Sequence, residues 1–115
     1  MSSYYQKCFP IMHVVNSTDE VLRNLYFTYE GMMGPDVKIK KISKDSMEST
    51  AIVTRDANEY KKLFMYHYDK ENIKHEYIIT NRLLWGDIRD KKIEILGVNE
   101  DGSYKLKIEH DFVLV

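Results

Sequence analysis

The sequence predicts one domain of the α+β class, in which an antiparallel sheet carries two helices on one face. Short runs of β-branched and aromatic residues, typical of strands, are interrupted twice by segments whose apolar residues recur at helical spacing. The chain has 115 residues, 43% of them hydrophobic, and no linker-like or repetitive stretch. That length suits one continuous core. We therefore assign residues 1–115 to a single domain, with a βαββαβ core at 1–80 and a C-terminal β-hairpin extension at 81–115.

The first strand and the first helix are predicted in the N-terminal third. Residues 4–15 have strand composition, and Pro10 indicates a bulge or an edge position. Ser17 and Glu20 then have the spacing of a capping box, which begins a helix. The Gly34-Pro35 pair ends that helix. Its buried stripe is predicted from residues at helical spacing: Leu22, Leu25, Tyr26, Tyr29 and Met33.

A hairpin, the second helix and a fourth strand follow. Residues 37–43 and 49–55 read as two strands, and the short polar link between them favours an antiparallel hairpin. Asp56 and Glu59 repeat the capping box. The helix that they begin would bury Tyr60, Leu63, Phe64, His67 and Tyr68. Residues 75–80 are predicted to form the fourth strand.

The last third predicts a hairpin. Residues 91–98 and 103–109 alternate polar and apolar side chains around a short turn. Gly102 can adopt the left-handed conformation that such turns require. The tail at 110–115 ends in apolar residues, so we expect it to form a strand docked on the body.

This order of elements is that of the ferredoxin-like fold. Within it, residues 11–73 resemble an RNA-recognition-motif domain, because residues 12–16 are similar to its first consensus strand and residues 49–56 to its third. The resemblance implies an exposed sheet face on which aromatic rings stack nucleobases. Those positions hold His13, Thr50 and Ile52 here, so the aromatic platform is missing.

A second resemblance covers the C-terminal third. Residues 85–109 resemble the strands and turn of a Tudor-like small barrel. A segment of about 30 residues is shorter than such a barrel needs to close around a core. We therefore interpret it as a hairpin added to the main sheet.

Charge and cysteine content limit the partners. The chain has 17 basic and 18 acidic residues, so a nucleic-acid site would have to be a local patch. Cys8 is the only cysteine, which excludes an internal disulfide and a thiolate zinc site and is typical of a reducing compartment. With no apolar run long enough for a membrane span and no signal-peptide pattern, we expect a cytoplasmic protein without a membrane partner. A lysine-rich, arginine-poor composition hints at an AT-rich genome, such as that of a phage, a virus or a low-GC microbe.

Two groups of candidate binding residues emerge. Lys38 and Lys40 lie on one face of the second predicted strand, where they would contact phosphates together with His13 and Thr50. The alternative is that these lysines protect a sheet edge from aggregation. Trp85 lies in a loop and is either an exposed binding residue or buried beneath the C-terminal hairpin.

We predict no catalytic residue, metal site or cofactor. His67 lacks a second histidine at metal-ligand spacing, and neighbouring acid/base pairs such as His75 and Glu76 would point to opposite faces of a strand. The first hypothesis is a non-enzymatic binding or regulatory protein that acts through a protein partner or self-association as a dimer, for example a phage or viral inhibitor of a host factor. The alternatives are a divergent RNA-recognition-motif-like protein and a small metal-dependent nuclease using Asp87 or Asp111.

Overall fold

The computed structural model describes residues 9–113, and within them the chain forms eight β-strands and no helix. The predicted α+β, ferredoxin-like fold is therefore wrong, and the protein is all-β. No helix suited to crossing a membrane occurs in this part of the chain. The strands are β1 (Ile11–Asn16), β2 (Leu22–Tyr29), β3 (Val37–Ile42), β4 (Ser46–Ala51), β5 (Lys61–Tyr68), β6 (Lys74–Leu83), β7 (Lys91–Val98) and β8 (Tyr104–His110).

The strands form two four-stranded sheets that pack as a β-sandwich. Sheet A has the order β4-β1-β7-β8 and sheet B the order β3-β2-β5-β6. All neighbouring strands are antiparallel except β1 and β7, which are parallel. Inward-facing side chains of both sheets form one core, as expected for two sheets packed face to face. Fully buried members include Met12, Val14, Ile93 and Ile95 from sheet A, and Leu25, Phe27, Leu63 and Met65 from sheet B.

The segment predicted as the first helix is β2, and an irregular backbone at Asn24 explains the error. Leu22 pairs with Ile42 and Leu25 with Ile39, three residues apart on each strand, so the register is unbroken, and Asn24 between them has a left-handed φ of 56°. Strict alternation is lost at this point, and Leu22 and Leu25 both enter the core although they are three residues apart. That spacing imitates a helix. Leu25, Phe27 and Tyr29 then alternate inward as in any strand.

The segment predicted as the second helix is β5. Leu63, Met65 and His67 point into the sandwich, while the residues between them are also aromatic. A strand that is apolar on both faces shows a continuous apolar run, which periodicity alone does not distinguish from a buried helix. Asp56, expected to cap the helix, instead accepts a hydrogen bond at 2.9 Å from the backbone N–H of Met33 in a neighbouring loop.

The predicted hairpin of the second and third strands is also wrong. β3 pairs with β2 in sheet B and β4 pairs with β1 in sheet A, so the link at residues 43–45 crosses from one sheet to the other. Asp45 has a φ of 54°, and its N–H donates to the carbonyl of Asn16 at the end of β1. A short polar link fits such a crossing as well as a hairpin.

Strand positions were predicted better elsewhere. The fourth predicted strand lies within β6, and β7 and β8 form the predicted C-terminal hairpin. Pro10 precedes β1, which is an interior strand, so the expected edge position is wrong; residues 4–8 of the first predicted strand lie outside the described residues. The tail does not continue as a strand at 111–113, and residues 114–115 lie outside the described part.

Candidate binding cleft

A cleft of about 570 Å³ opens at one end of the sandwich. Because successive strands alternate in direction, the β1–β2, β5–β6 and β7–β8 loops meet at this end, and all three line the cleft. The β6–β7 loop with Trp85 lies at the opposite end. The volume falls within the range of about 300–1,000 Å³ that is usual for ligand sites.

The floor of the cleft is an aromatic cluster that joins the edges of the two sheets. His67 on β5 stacks on Tyr104 of β8, with 3.7 Å between ring centroids and 6° between planes. The Tyr77 hydroxyl on β6 lies 2.8 Å from His67 Nε2 and accepts a hydrogen bond from the Tyr104 N–H at 2.6 Å. The two sheets are thereby held together beneath the cleft.

The floor is uncharged at neutral pH. Burial lowers the pKa of His67 to about 4, and the nearby His75 acts in the same direction. Burial raises the pKa of Tyr104 to about 12, helped by the proximity of Tyr77 and Glu20, and burial also raises the pKa of Tyr77. A ligand entering the cleft therefore meets neutral rings.

The walls are held in place by Asp69 and Gly102. Asp69 Oδ1 accepts hydrogen bonds from the N–H groups of Glu71 and Ile73, and Oδ2 lies 2.8 Å from His75 Nε2. These bonds, that of His75 foremost, lower the pKa of the Asp69 carboxyl. Gly102 has a φ of 89°, and a Cβ atom there would lie 2.7 Å from the Asp69 Cβ. The β5–β6 and β7–β8 turns thus contact each other directly.

The rim combines negative charge with apolar surface. The carboxylates of Glu20, Glu71 and Glu100 make no ion pair with any residue in the described range, whereas Asp69 and Asp101 are occupied by local hydrogen bonds. The cations at the rim are Arg23 and Lys70. Exposed aliphatic side chains stand among these charges: Val21, Ile73 and Val98.

His13 is not part of a surface site. It is only 4% exposed, with Nδ1 2.8 Å from Ser49 Oγ and Nε2 3.2 Å from Asp90 Oδ2. Serine hydrolases use these three residue types in the opposite arrangement: there the serine is bonded to Nε2 of the histidine and the aspartate to Nδ1. Neither Ser49 nor His13 lines the cleft or any of the three smaller depressions that accompany it. We interpret the network as a structural tie between β1, β4 and the β6–β7 loop.

The predicted phosphate site is not assembled. Lys38 and Lys40 are exposed on β3, an edge strand of sheet B, whereas His13 and Thr50 belong to sheet A. Ile52 is buried in the core beyond the end of β4. The lysines are available for binding, but their expected partners are not beside them.

Trp85 is exposed, which decides one of the alternatives left open by the sequence. Its side chain is 69% exposed, near Tyr60 and Ile88, and the Arg82 guanidinium lies 5.2 Å from the centre of the Tyr60 ring. This patch of aromatic and arginine side chains has the composition of interface hot spots.

The aspartates expected in a nuclease are engaged with arginine. Arg89 Nε lies 3.1 Å from Asp87 Oδ1 and 3.7 Å from Asp111 Oδ1. Residues 9–113 contain no group of three or more histidine, cysteine or acidic side chains placed to hold a metal ion.

The cleft itself was missed at the level of sequence. Its floor residue His67 was assigned to a helix, and its three loops are far apart along the chain. The local signals were the polar turns at residues 69–73 and 99–102, which mark loops but do not show that they meet.

Comparison with known proteins supports the fold alone. No protein-family model matches the chain, and no curated protein matches it. A protein from Eubacterium rectale with an NMR structure is similar, with a TM-score of 0.56, 14% sequence identity and 89% of each chain covered. At that identity the similarity shows a common sandwich architecture and nothing about activity.

Proposed function

We propose that this protein is a non-enzymatic binding module that takes a lysine- or arginine-bearing segment of a partner protein into the cleft. The observation that carries the proposal is a group of carboxylates that form no ion pair within residues 9–113, together with exposed aliphatic side chains, around one cavity. A lysine or arginine side chain complements this lining, because its aliphatic stem contacts apolar residues while its charged head contacts carboxylates. The single cysteine supports a reducing compartment, so we propose that this binding takes place in the cytoplasm.

The cleft favours binding because its shape is already formed. The aromatic floor and the Asp69 hydrogen bonds hold the turns in position, so little ordering accompanies ligand entry. The most deeply placed titratable group, His67, is 2% exposed and enclosed by Tyr77 and Tyr104. An entering segment therefore contacts ring surfaces, while its cation remains near the carboxylates at the rim.

The test is calorimetric titration with two soluble peptides, one alternating lysine with leucine and one alternating glutamate with leucine. We expect only the lysine peptide to bind. The triple variant Glu20→Gln, Glu71→Gln and Glu100→Gln should weaken binding by about 10-fold or more, since partly exposed charge pairs contribute up to about 1 kcal/mol each. The control is Glu48→Gln with Glu109→Gln, which removes two exposed carboxylates on sheet A strands and is compared per charge with the triple variant.

Three results would contradict the proposal: equal binding of both peptides, an unaffected triple variant, or the same loss per charge in the control. A free amine such as spermidine serves as a further ligand, and tighter binding of the amine than of the peptide would replace the partner protein by a small molecule. The variant Trp85→Ala reports on the opposite end of the sandwich. Loss of peptide binding in that variant alone would move the site to the Trp85 patch.

A further inference from the structure

The near-zero net charge conceals a strong separation of charge. The eight strands contain twelve of the 17 lysines and arginines but only four of the 18 acidic residues, so the loops are acidic and the strands basic. The separation is concentrated in sheet B, whose only acidic residue is Glu76. The basic residues of sheet B are Arg23, Lys38, Lys40, Lys41, Lys61, Lys62, Lys74 and Arg82.

Sheet A differs although its strands are similar in length. Its strands contain four lysines and three acidic residues, so its charges almost balance. A large excess of basic over acidic side chains therefore occurs in the strands of sheet B and not in those of sheet A. The acidic loops at both ends of the sandwich would confine an anionic ligand to this face.

The outer face of sheet B also carries a group of aromatic rings. Tyr26 on β2 and Tyr66 on β5 are register partners, with stacked rings 4.9 Å apart. The Lys38 ammonium lies 5.6 Å from the Tyr26 ring centre and that of Lys74 lies 4.3 Å from the Tyr66 ring centre. In register, the row across the four strands is Lys38, Tyr26, Tyr66 and Glu76. Lys74, two residues before Glu76 on β6, lies over the Tyr66 ring and is also 3.6 Å from the Glu76 carboxylate. A lysine therefore lies against each of the two rings.

Further rings on this face are accessible to a ligand. Tyr68 follows in the next outward position of β5, is 48% exposed and also borders the cleft. Phe64 is partly exposed and pairs across the strands with the exposed Ile78. These side chains supply apolar surface between the cations, which is the arrangement that binds bases and phosphates of an unpaired strand together.

We propose that the outer face of sheet B binds single-stranded nucleic acid. The lysines and arginines contact the phosphates, and Tyr68 stacks on a base. A duplex fits less well, since its bases are already stacked and its grooves are read by protruding elements, whereas this face is a sheet surface. This charge complementarity also favours a polyanion over a protein partner here.

The test uses fluorescence anisotropy with labelled single-stranded DNA and RNA, and with a duplex of the same length. We expect the single strands to bind more tightly than the duplex, with affinity falling steeply as salt rises. The double variant Lys38→Glu with Lys40→Glu should weaken binding by about 10-fold or more and flatten the salt dependence. Tyr68→Ala should weaken binding by a similar factor with the salt dependence unchanged, because it removes stacking alone.

The matched control is Lys105→Glu with Lys107→Glu. This pair has the same spacing and the same change in net charge, but it lies on β8, an edge strand of sheet A. It should leave affinity within about threefold, and circular dichroism should show that all variants keep the wild-type spectrum.

Several outcomes would overturn the proposal. They are equal losses in both lysine pairs, tighter binding of the duplex, and no binding at low salt. Binding confined to vesicles containing phosphatidylserine would assign the face to an anionic membrane. Association of the protein with itself, abolished by the Lys38 and Lys40 changes, would show instead that the acidic loops of a second copy occupy it.

Discussion

Acid should destabilise this protein mainly through His67. The ring is 2% exposed, and burial together with His75 lowers its pKa to about 4 from an ordinary value of 6.5. The unfolded chain therefore takes up a proton at higher pH than the folded protein does. The stabilisation is complete above pH 6.5 and is lost as the pH falls through 6.5 towards 4.

The expected loss is large relative to the total stability of a small domain. Each pKa unit corresponds to about 1.4 kcal/mol, so the free energy of unfolding should fall by about 3 kcal/mol between pH 7 and pH 4. A domain of this size is stable by only about 5–15 kcal/mol. The carboxyl of Asp69, whose pKa is lowered, adds a further loss in the same direction but at lower pH.

The assay is urea unfolding at several pH values for the wild type and for His67→Phe. Phenylalanine keeps a ring against Tyr104 but binds no proton, and it leaves the Tyr77 hydroxyl without its imidazole partner. The variant should lose about 1 kcal/mol at pH 7 for that hydrogen bond. Its stability should then change little down to about pH 4, because the titrating group is gone.

The reasoning would be refuted if the free energy of unfolding of the wild type were constant between pH 7 and pH 4. It would also be refuted if His67→Phe lost as much stability over this range as the wild type. A loss below about 1 kcal/mol in the wild type would show that stacking of the charged imidazole on Tyr104 compensates its burial. The variant His75→Gln tests the second cause of the lowered pKa of His67, which is the neighbouring imidazole. Its removal should bring the pKa of His67 closer to the ordinary value.

Three further substitutions test the contacts that shape the cleft and the core. Gly102→Ala should cost about 2 kcal/mol or more in thermal unfolding, because its left-handed backbone and the adjacent Asp69 leave no room for a Cβ atom, whereas Gly97→Ala should cost less. Asn16→Ala should cost about 2–4 kcal/mol in chemical denaturation, since this buried amide donates to three backbone carbonyls and accepts from Thr18; a loss below about 1 kcal/mol would contradict this. Thr54→Val should raise the free energy of unfolding by about 1 kcal/mol, because the buried Thr54 hydroxyl has no partner among residues 9–113, and a decrease would show that the hydroxyl is satisfied.

Strands with simple alternation were predictable because the period of two is a local property. This is clearest in β7 and β8, where the left-handed Gly102 also marks the turn. The β2 strand was not predictable, since the left-handed backbone of Asn24 interrupts the alternation and gives Leu22 and Leu25 a helical spacing, although the pairing with β3 continues across it. The two capping boxes misled for a related reason: a polar side chain such as Asp56 satisfies backbone groups in strand-connecting loops as well as at helix ends.

The same error hid the candidate sites. With β5 assigned to a helix, Phe64 and Tyr68 were placed in a core, and the exposed lysines of β3 had no aromatic neighbours. The expected site instead joined Lys38 and Lys40 to His13, which lies in the other sheet. Which strands become neighbours depends on long-range pairing, and a single sequence carries no local signal for it.

The sequence by itself determined one cysteine, balanced charge and a composition suited to one core, together with the alternating strands of its C-terminal half. Those properties follow from composition and from contacts within a few residues along the chain. Only the tertiary structure decided that two apolar segments are strands, that the basic residues gather on one sheet, and that three distant turns enclose a cleft. The physical reason is that a strand, unlike a helix, forms its hydrogen bonds with partners elsewhere in the chain, so its identity and its neighbours are settled together when the sheets assemble.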